Sequence, residues 1–141
     1  MAKQVAEVVA VIEAGAGRVW NALTQGTMMP GTRIETDWEV GHPIVFSGEW
    51  KGMAFKDYGE IQQMDPEYEV SFTHWSGSAE RPADYHIVRY RLTPDGKGTR
   101  VTLTQFNVGP KAEVDAATRA EFEKNWRAML DGLKKSAENV H

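Results

Sequence analysis

Apolar residues in this chain repeat with two different periods, and the change of period divides it into elements. Residues 3–14 alternate. Ala6, Val8, Ala10, Ile12 and Ala14 share one phase, and Val5, Glu7, Val9, Val11 and Glu13 share the other. The glutamates mark the second phase as the solvent side of a long strand. Gly15-Ala16-Gly17 breaks it, and Val19, Trp20 and Leu23 then sit one turn apart in a short helix over 18–24. From Ile34 to Asn107 the period is two, in six short strands with turn residues between them. Ile34, Thr36, Trp38 and Val40 alternate with Glu35, Asp37 and Glu39. Ile44, Phe46, Gly48 and Trp50 share a phase, a strand follows over 58–64, and Val70, Phe72 and His74 alternate with Ser71, Thr73 and Trp75. His86, Val88, Tyr90 and Leu92 then face Val101, Leu103 and Gln105 across the loop at 94–98. This spacing predicts an antiparallel meander. Residues 118–140 change to helical period. Phe122, Trp126, Met129, Leu130, Leu133 and Ala137 fall within an arc roughly 100° wide, and Thr118 with Glu121 reads as a capping box.

One twisted sheet facing one long helix buries both apolar faces economically. The fold class is therefore α+β, a curved antiparallel sheet wrapped around a long carboxy-terminal helix. With 141 residues, the chain is expected to form a single domain over 1–141. Trp126 is expected to be buried near the middle of the helical stripe.

Composition removes several classes. The formal charge is −4 and no basic cluster occurs, which argues against a nucleic-acid or anionic-membrane surface. The chain has no cysteine, so disulfides, thiolate nucleophiles and Cys-ligated metals are out, and a cytoplasmic setting is expected. The apolar run 8–12 is too short to span a bilayer, and the amino terminus lacks the pattern of a secretory leader. No motif calls for a cofactor or a metal. Glu35, Asp37 and Glu39 are expected to form a solvated outer face.

Counting back from the 94–98 loop pairs Leu92 with Val101, Tyr90 with Leu103, Val88 with Gln105 and His86 with Asn107. Phe72 is then expected opposite Tyr90, and His74 opposite Val88. His74, His86, Gln105 and Asn107 gather at one end of the inner face, where a polar cluster in core phase can orient a ligand's head group. The alternatives are a wet rim of the sheet, or groups that bond one another. Both histidines titrate in a range suited to acid–base work, with no third residue evident to orient either. Trp38, Phe46, Trp50, Tyr90, Phe122 and Trp126 either line a cavity or fill it. Met28 and Met29 suit an adaptable portal or a loop packed on the first helix.

Several segments resemble signature pieces of the SRPBCC or START-like superfamily. They are Val19-Trp20-Asn21-Ala22-Leu23-Thr24, Thr36-Asp37-Trp38-Glu39-Val40-Gly41, Asp57-Tyr58-Gly59-Glu60-Ile61, Phe72-Thr73-His74-Trp75, residues 99–105 and Leu130-Asp131-Gly132-Leu133-Lys134. The nearest branch is that named after the activator of the heat-shock-protein-90 ATPase. The resemblance implies a helix-grip fold, often with a cavity between helix and sheet. Where such proteins usually place an aromatic-containing segment after the first helix, this chain has Gly26-Thr27-Met28-Met29-Pro30-Gly31.

The expected function is that of a carrier or sensor for a small hydrophobic molecule, with no membrane insertion. Trp38, Phe46, Phe72, His74, His86, Tyr90, Leu103, Gln105, Phe122, Trp126 and Met129 would be its ligand-binding residues. A protein-interaction module is the alternative, with Val9, Val11, Ile87 and Phe106 in outward phase to supply an apolar patch. An enzyme of the cyclase or hydrolase type comes third, favoured by a buried histidine of perturbed pKa beside a cavity.

Overall fold

The computed structural model describes residues 2–24 and 32–138, apart from the Trp50 side chain. The expectations for Met28, Met29, Trp50 and the last residues of the chain lie outside it.

The elements follow in the order β1 (Ala2–Ile12), α1 (Ala16–Ala22), β2 (Thr32–Glu35), β3 (Pro43–Trp50), β4 (Met53–Asp65), β5 (Glu69–Ser76), β6 (Tyr85–Asp95), β7 (Gly98–Val108) and α2 (Ala116–Glu138). All seven strands join one antiparallel sheet in the order β1-β7-β6-β5-β4-β3-β2. Strands β2 to β7 form the expected meander. β1 closes against β7, so the sheet's two edges are β1 and β2. The inner face and α2 enclose a single core in which Phe46, Phe72, Tyr90, Leu103, Leu130 and Leu133 are fully buried. This is the helix-grip arrangement.

The β6–β7 register matches the count from the loop, from Leu92 with Val101 to His86 with Asn107. The β5–β6 register differs by two residues. Phe72 pairs with Val88, and His74 pairs with His86. No tight turn sets this register, because the connection 77–84 is long. A slip of two leaves every side chain on its expected face and changes only its neighbour. The slip has one chemical consequence: the two imidazoles lie side by side.

Three other expectations are corrected. The strand expected over 34–40 stops at Glu35. Thr36 and Asp37 side chains accept hydrogen bonds from the Trp38 and Glu39 backbones, at 3.2 and 3.1 Å, and Trp38 takes a positive φ of 61°. Such local bonds compete with the ladder and turn the chain. Val5, expected in outward phase, is buried because a bulge between Gln4 and Ala6 resets the alternation. The cap of α2 is Asp115 rather than Thr118. The Asp115 carboxylate accepts the Thr118 backbone N–H at 2.8 Å, the bond an N-cap residue makes to the third helical position. That bond and the Thr118 hydroxyl hold its pKa below the usual carboxylate range.

Strand β4 carries a bulge between Ile61 and Gln63. Just before it, Gly59 presses on β5 so closely that a Cβ there would stand 1.8 Å from the Thr73 carbonyl oxygen. Only glycine permits that approach. Gly59→Ala is therefore expected to destabilise the fold by about 2–3 kcal/mol, as overpacking does, lowering the melting temperature by roughly 10 °C. A thermal melt within about 2 °C of the parent would contradict the close crossing.

Candidate functional site

The inner face is apolar except at one rim, where ladder rows stack polar residues. His74, His86 and Asn107 share a row across β5, β6 and β7. Phe72, Val88 and Gln105 form the next. Asp57 of β4 lies opposite Phe46 on one side and Ser76 on the other, which puts all three on this face.

Two hydrogen-bond chains organise the rim. In the first, the Trp126 indole N–H of α2 donates to Gln105 Oε1 at 2.7 Å. An indole can only donate, so the Gln105 amide nitrogen turns away and donates to Asn107 Oδ1 at 2.9 Å. Asn107 Nδ2 donates in turn to the Ala112 carbonyl at 3.3 Å, which fixes Oδ1 as the atom 2.8 Å from His86 Nδ1. A carbonyl oxygen only accepts, so His86 carries its proton on Nδ1, and its Nε2 keeps a lone pair. The 3.1 Å approach of Gln105 Nε2 to His86 Nδ1 is then a contact between two donors that share the Asn107 oxygen.

In the second chain, the Asp57 carboxylate accepts from His74 Nε2 at 3.0 Å and from the Ser76 hydroxyl at 2.7 Å. His74 therefore carries its proton on Nε2 and keeps a lone pair on Nδ1. Burial pushes its pKa below the ordinary histidine value, more than Asp57 raises it, and the neighbouring His86 lowers it further. The imidazoles stack with centroids 6.1 Å apart and planes 21° from parallel. Phe46 meets the edge of His74, and Phe122 of α2 meets that of His86.

The candidate residues divide in two. Phe46, Phe72, Tyr90 and Leu103 are fully buried in the core, with Gln105 close to it in burial. His74, His86 and Phe122 are half-buried at the rim, and half-buried Trp38, Trp126 and Met129 pack against the core. The expectation that Trp126 is buried is thus corrected. The helical stripe is closed only towards its carboxy end, at Leu130, Leu133 and Ala137. A cavity of about 230 Å³ opens at the rim, lined by His74, Trp75, Ser76, Tyr85 and His86 with part of the β5–β6 connection. Within the core, the Tyr90 hydroxyl is buried and finds no hydrogen-bond partner among the described residues. Burial raises its pKa well above the ordinary phenol value.

Asp57 and Ser76 are the rim residues that sequence reasoning missed. The signal was present: Lys51-Gly52 forms a two-residue hairpin turn with φ of 52° and 80°. Counting from it, as from the 94–98 loop, places Asp57 opposite Phe46. Glu35, Asp37 and Glu39 are exposed as expected. Asp37 bonds His42 at 2.6 Å and raises its pKa.

A family model described as "Activator of Hsp90 ATPase homolog 1-like protein" matches residues 13–138. ChR145 of Cytophaga hutchinsonii, solved in solution, is 38% identical over 95% of this chain and 93% of its own, with a TM-score of 0.75. Mll3558 of Rhizobium loti is 21% identical over 96% and 97%, with a TM-score of 0.72. DynU16, from the dynemicin biosynthetic locus, is 17% identical over 95% of this chain and 47% of its own, with a TM-score of 0.74. The last two show the fold alone. No curated protein matches the sequence.

Two outcomes follow from the rim geometry. In long-range ¹⁵N spectra, neutral His86 should appear as the Nδ1–H tautomer and His74 as the Nε2–H tautomer. His74 should titrate below about 6.5 and His42 above it. A depressed histidine pKa means the unfolded chain takes up a proton before the folded one. The His74 contribution to stability is therefore complete above about pH 6.5 and is lost as pH falls towards the folded value. The opposite tautomer at His86 would contradict the amide chain. Secondly, Trp126→Phe leaves Gln105 Oε1 without its donor and should cost about 1–3 kcal/mol in a denaturant melt. No measurable change would contradict the bond.

Proposed function

The chain belongs to the activator of Hsp90 ATPase homolog 1-like family, and on that footing we propose that it carries or senses a small apolar molecule between the sheet and the amino-terminal half of α2. The observation behind this reading is the uneven burial of α2. Phe122 and Trp126 lie half-buried beside a rim whose polar groups sit in core phase, and Met129 is half-buried against the core, while Leu130 and Leu133 are sealed. The unpartnered Tyr90 hydroxyl adds to it, because a buried polar group without a partner calls for explanation.

In this reading Phe122, Trp126, Met129 and Trp38 contact the apolar body. His74, His86 and Gln105 meet its polar end. Phe46, Phe72, Tyr90 and Leu103 form the floor. All 141 residues act as one domain, in the cytoplasm, where a chain without cysteine meets no redox conflict. None of the described helices is long and apolar enough to cross a membrane.

A protein-interaction role has less behind it. The exposed large apolar side chains Val11, Val40, Met53 and Tyr68 lie on four separate segments. Val9, Ile87 and Phe106 are half-buried, and the Arg89 guanidinium covers the Phe106 ring at 5.0 Å. An enzymatic role has one specific observation in favour. Asp57 orients His74, which meets a cavity with a lowered pKa, as a general base requires. Its test is whether a bound ketone exchanges its α-hydrogens in D₂O with the protein and fails to do so with Asp57→Asn.

The carrier reading predicts that native mass spectrometry of protein purified from its host finds a retained small apolar mass. Adding that compound at a hundredfold excess over Kd should stabilise the fold by about 2.7 kcal/mol, a rise of several degrees in melting temperature. Protein mass alone, and no shift with fatty acids, isoprenoids or flat aromatics, would overturn the reading.

A further inference from the structure

The rim also carries information about the chemistry of the head group, an inference that rests on the carrier reading above. Each imidazole has one nitrogen committed as a donor, His86 Nδ1 to Asn107 and His74 Nε2 to Asp57. The opposite nitrogens, His86 Nε2 and His74 Nδ1, make no hydrogen bond among the described residues. Both are acceptors in the neutral rings. Both residues line the same 230 Å³ cavity.

The charge balance here opposes an anion. Asp57 brings a carboxylate to this face, 3.0 Å from His74, and among the described residues no lysine or arginine lines the cavity. Two rings with centroids 6.1 Å apart disfavour becoming cationic together. The cavity is smaller than the roughly 300–1,000 Å³ of a complete small-molecule pocket, so it suits a head group rather than a whole ligand. Phe122 of α2 lies beside the same rim, its ring centroid 6.3 Å from that of His86.

We propose that His74 and His86 recognise a head group that donates hydrogen bonds, so that the molecule carried is a hydroxylated apolar compound, a phenol or alcohol, and not a carboxylate or a bare hydrocarbon. The hydroxyl hydrogen bonds to an imidazole lone pair. The His86 acceptor is set by the Trp126–Gln105–Asn107 chain, so α2 itself prepares the site.

The test is calorimetric titration at pH 7.5 with two matched series: 2-naphthol, 2-naphthoate and 2-methylnaphthalene, and octanol, octanoate and octane. The hydroxyl compound of each series should bind about threefold to tenfold tighter than its hydrocarbon, the range one net hydrogen bond supplies, and the carboxylate should bind most weakly. His86→Phe should remove that preference, so that the hydroxyl compound binds no tighter than its hydrocarbon. His74→Phe is the second variant, and a melt checks that each is folded. Equal affinity within a series, a tighter carboxylate, or a preference that survives in both variants would overturn the head-group inference and leave the carrier reading standing. No binding by any member of either series would overturn both.

Discussion

The long helix is tied to the open edge of the sheet by its charged side chains, and the rest of the molecule is arranged around that tie. An edge strand leaves every second residue's backbone groups unpaired. Three such groups on β1, and a fourth one residue past its end, are met from α2. The carboxylates of Glu123 and Glu138 accept the N–H groups of Glu7 and Glu13, and Arg127 and Lys134 donate to the carbonyls of Val9 and Val11. Acids meet donors and bases meet acceptors. The spacings agree: fifteen helical residues rise about 22 Å, and six strand residues about 20 Å. The bond to Glu13, together with Lys134, holds the Glu138 pKa below the usual carboxylate range. The edge is also made unavailable to another strand.

A helix placed by its charged flank need not close its apolar face along the whole length. Leu130, Leu133 and Ala137 enter the core, whereas Phe122 and Trp126 stay half-buried beside the polar rim. The Trp126–Gln105 bond is the direct link between the two. One helix thus seals the core at its carboxy end and presents an aromatic roof to the rim at the other. Edge protection, core closure and the preparation of His86 are properties of one element.

Much of this was legible in the sequence, because the readable features were periodic or counted from a turn. The alternation in β1 and β5, the helical stripe and the β6–β7 register all follow from side-chain period and loop length. The failures have a common cause. The bulge at Val5, the turn at Thr36–Glu39 and the two-residue slip of β5 against β6 come from single extra residues, local side-chain bonds or a long connection, none of which changes the average pattern. The strand expected over 58–64 begins at Met53, so Asp57 lies within β4 and not before it. Glu123, Arg127, Lys134 and Glu138 carry no periodic signal of their contacts with β1. Their role depends on which strand lies at the sheet edge, and that requires the topology.

The central claim is that the amino-terminal half of α2 and the histidine rim together form one ligand site. Intermolecular nuclear Overhauser effects between bound 2-naphthol and the protein address it directly. The account predicts contacts from the naphthol ring to Phe122, Trp126 and His86. Contacts confined to the opposite sheet face, around Gln62 and Thr73, or to the charged groove between β1 and α2, would contradict it.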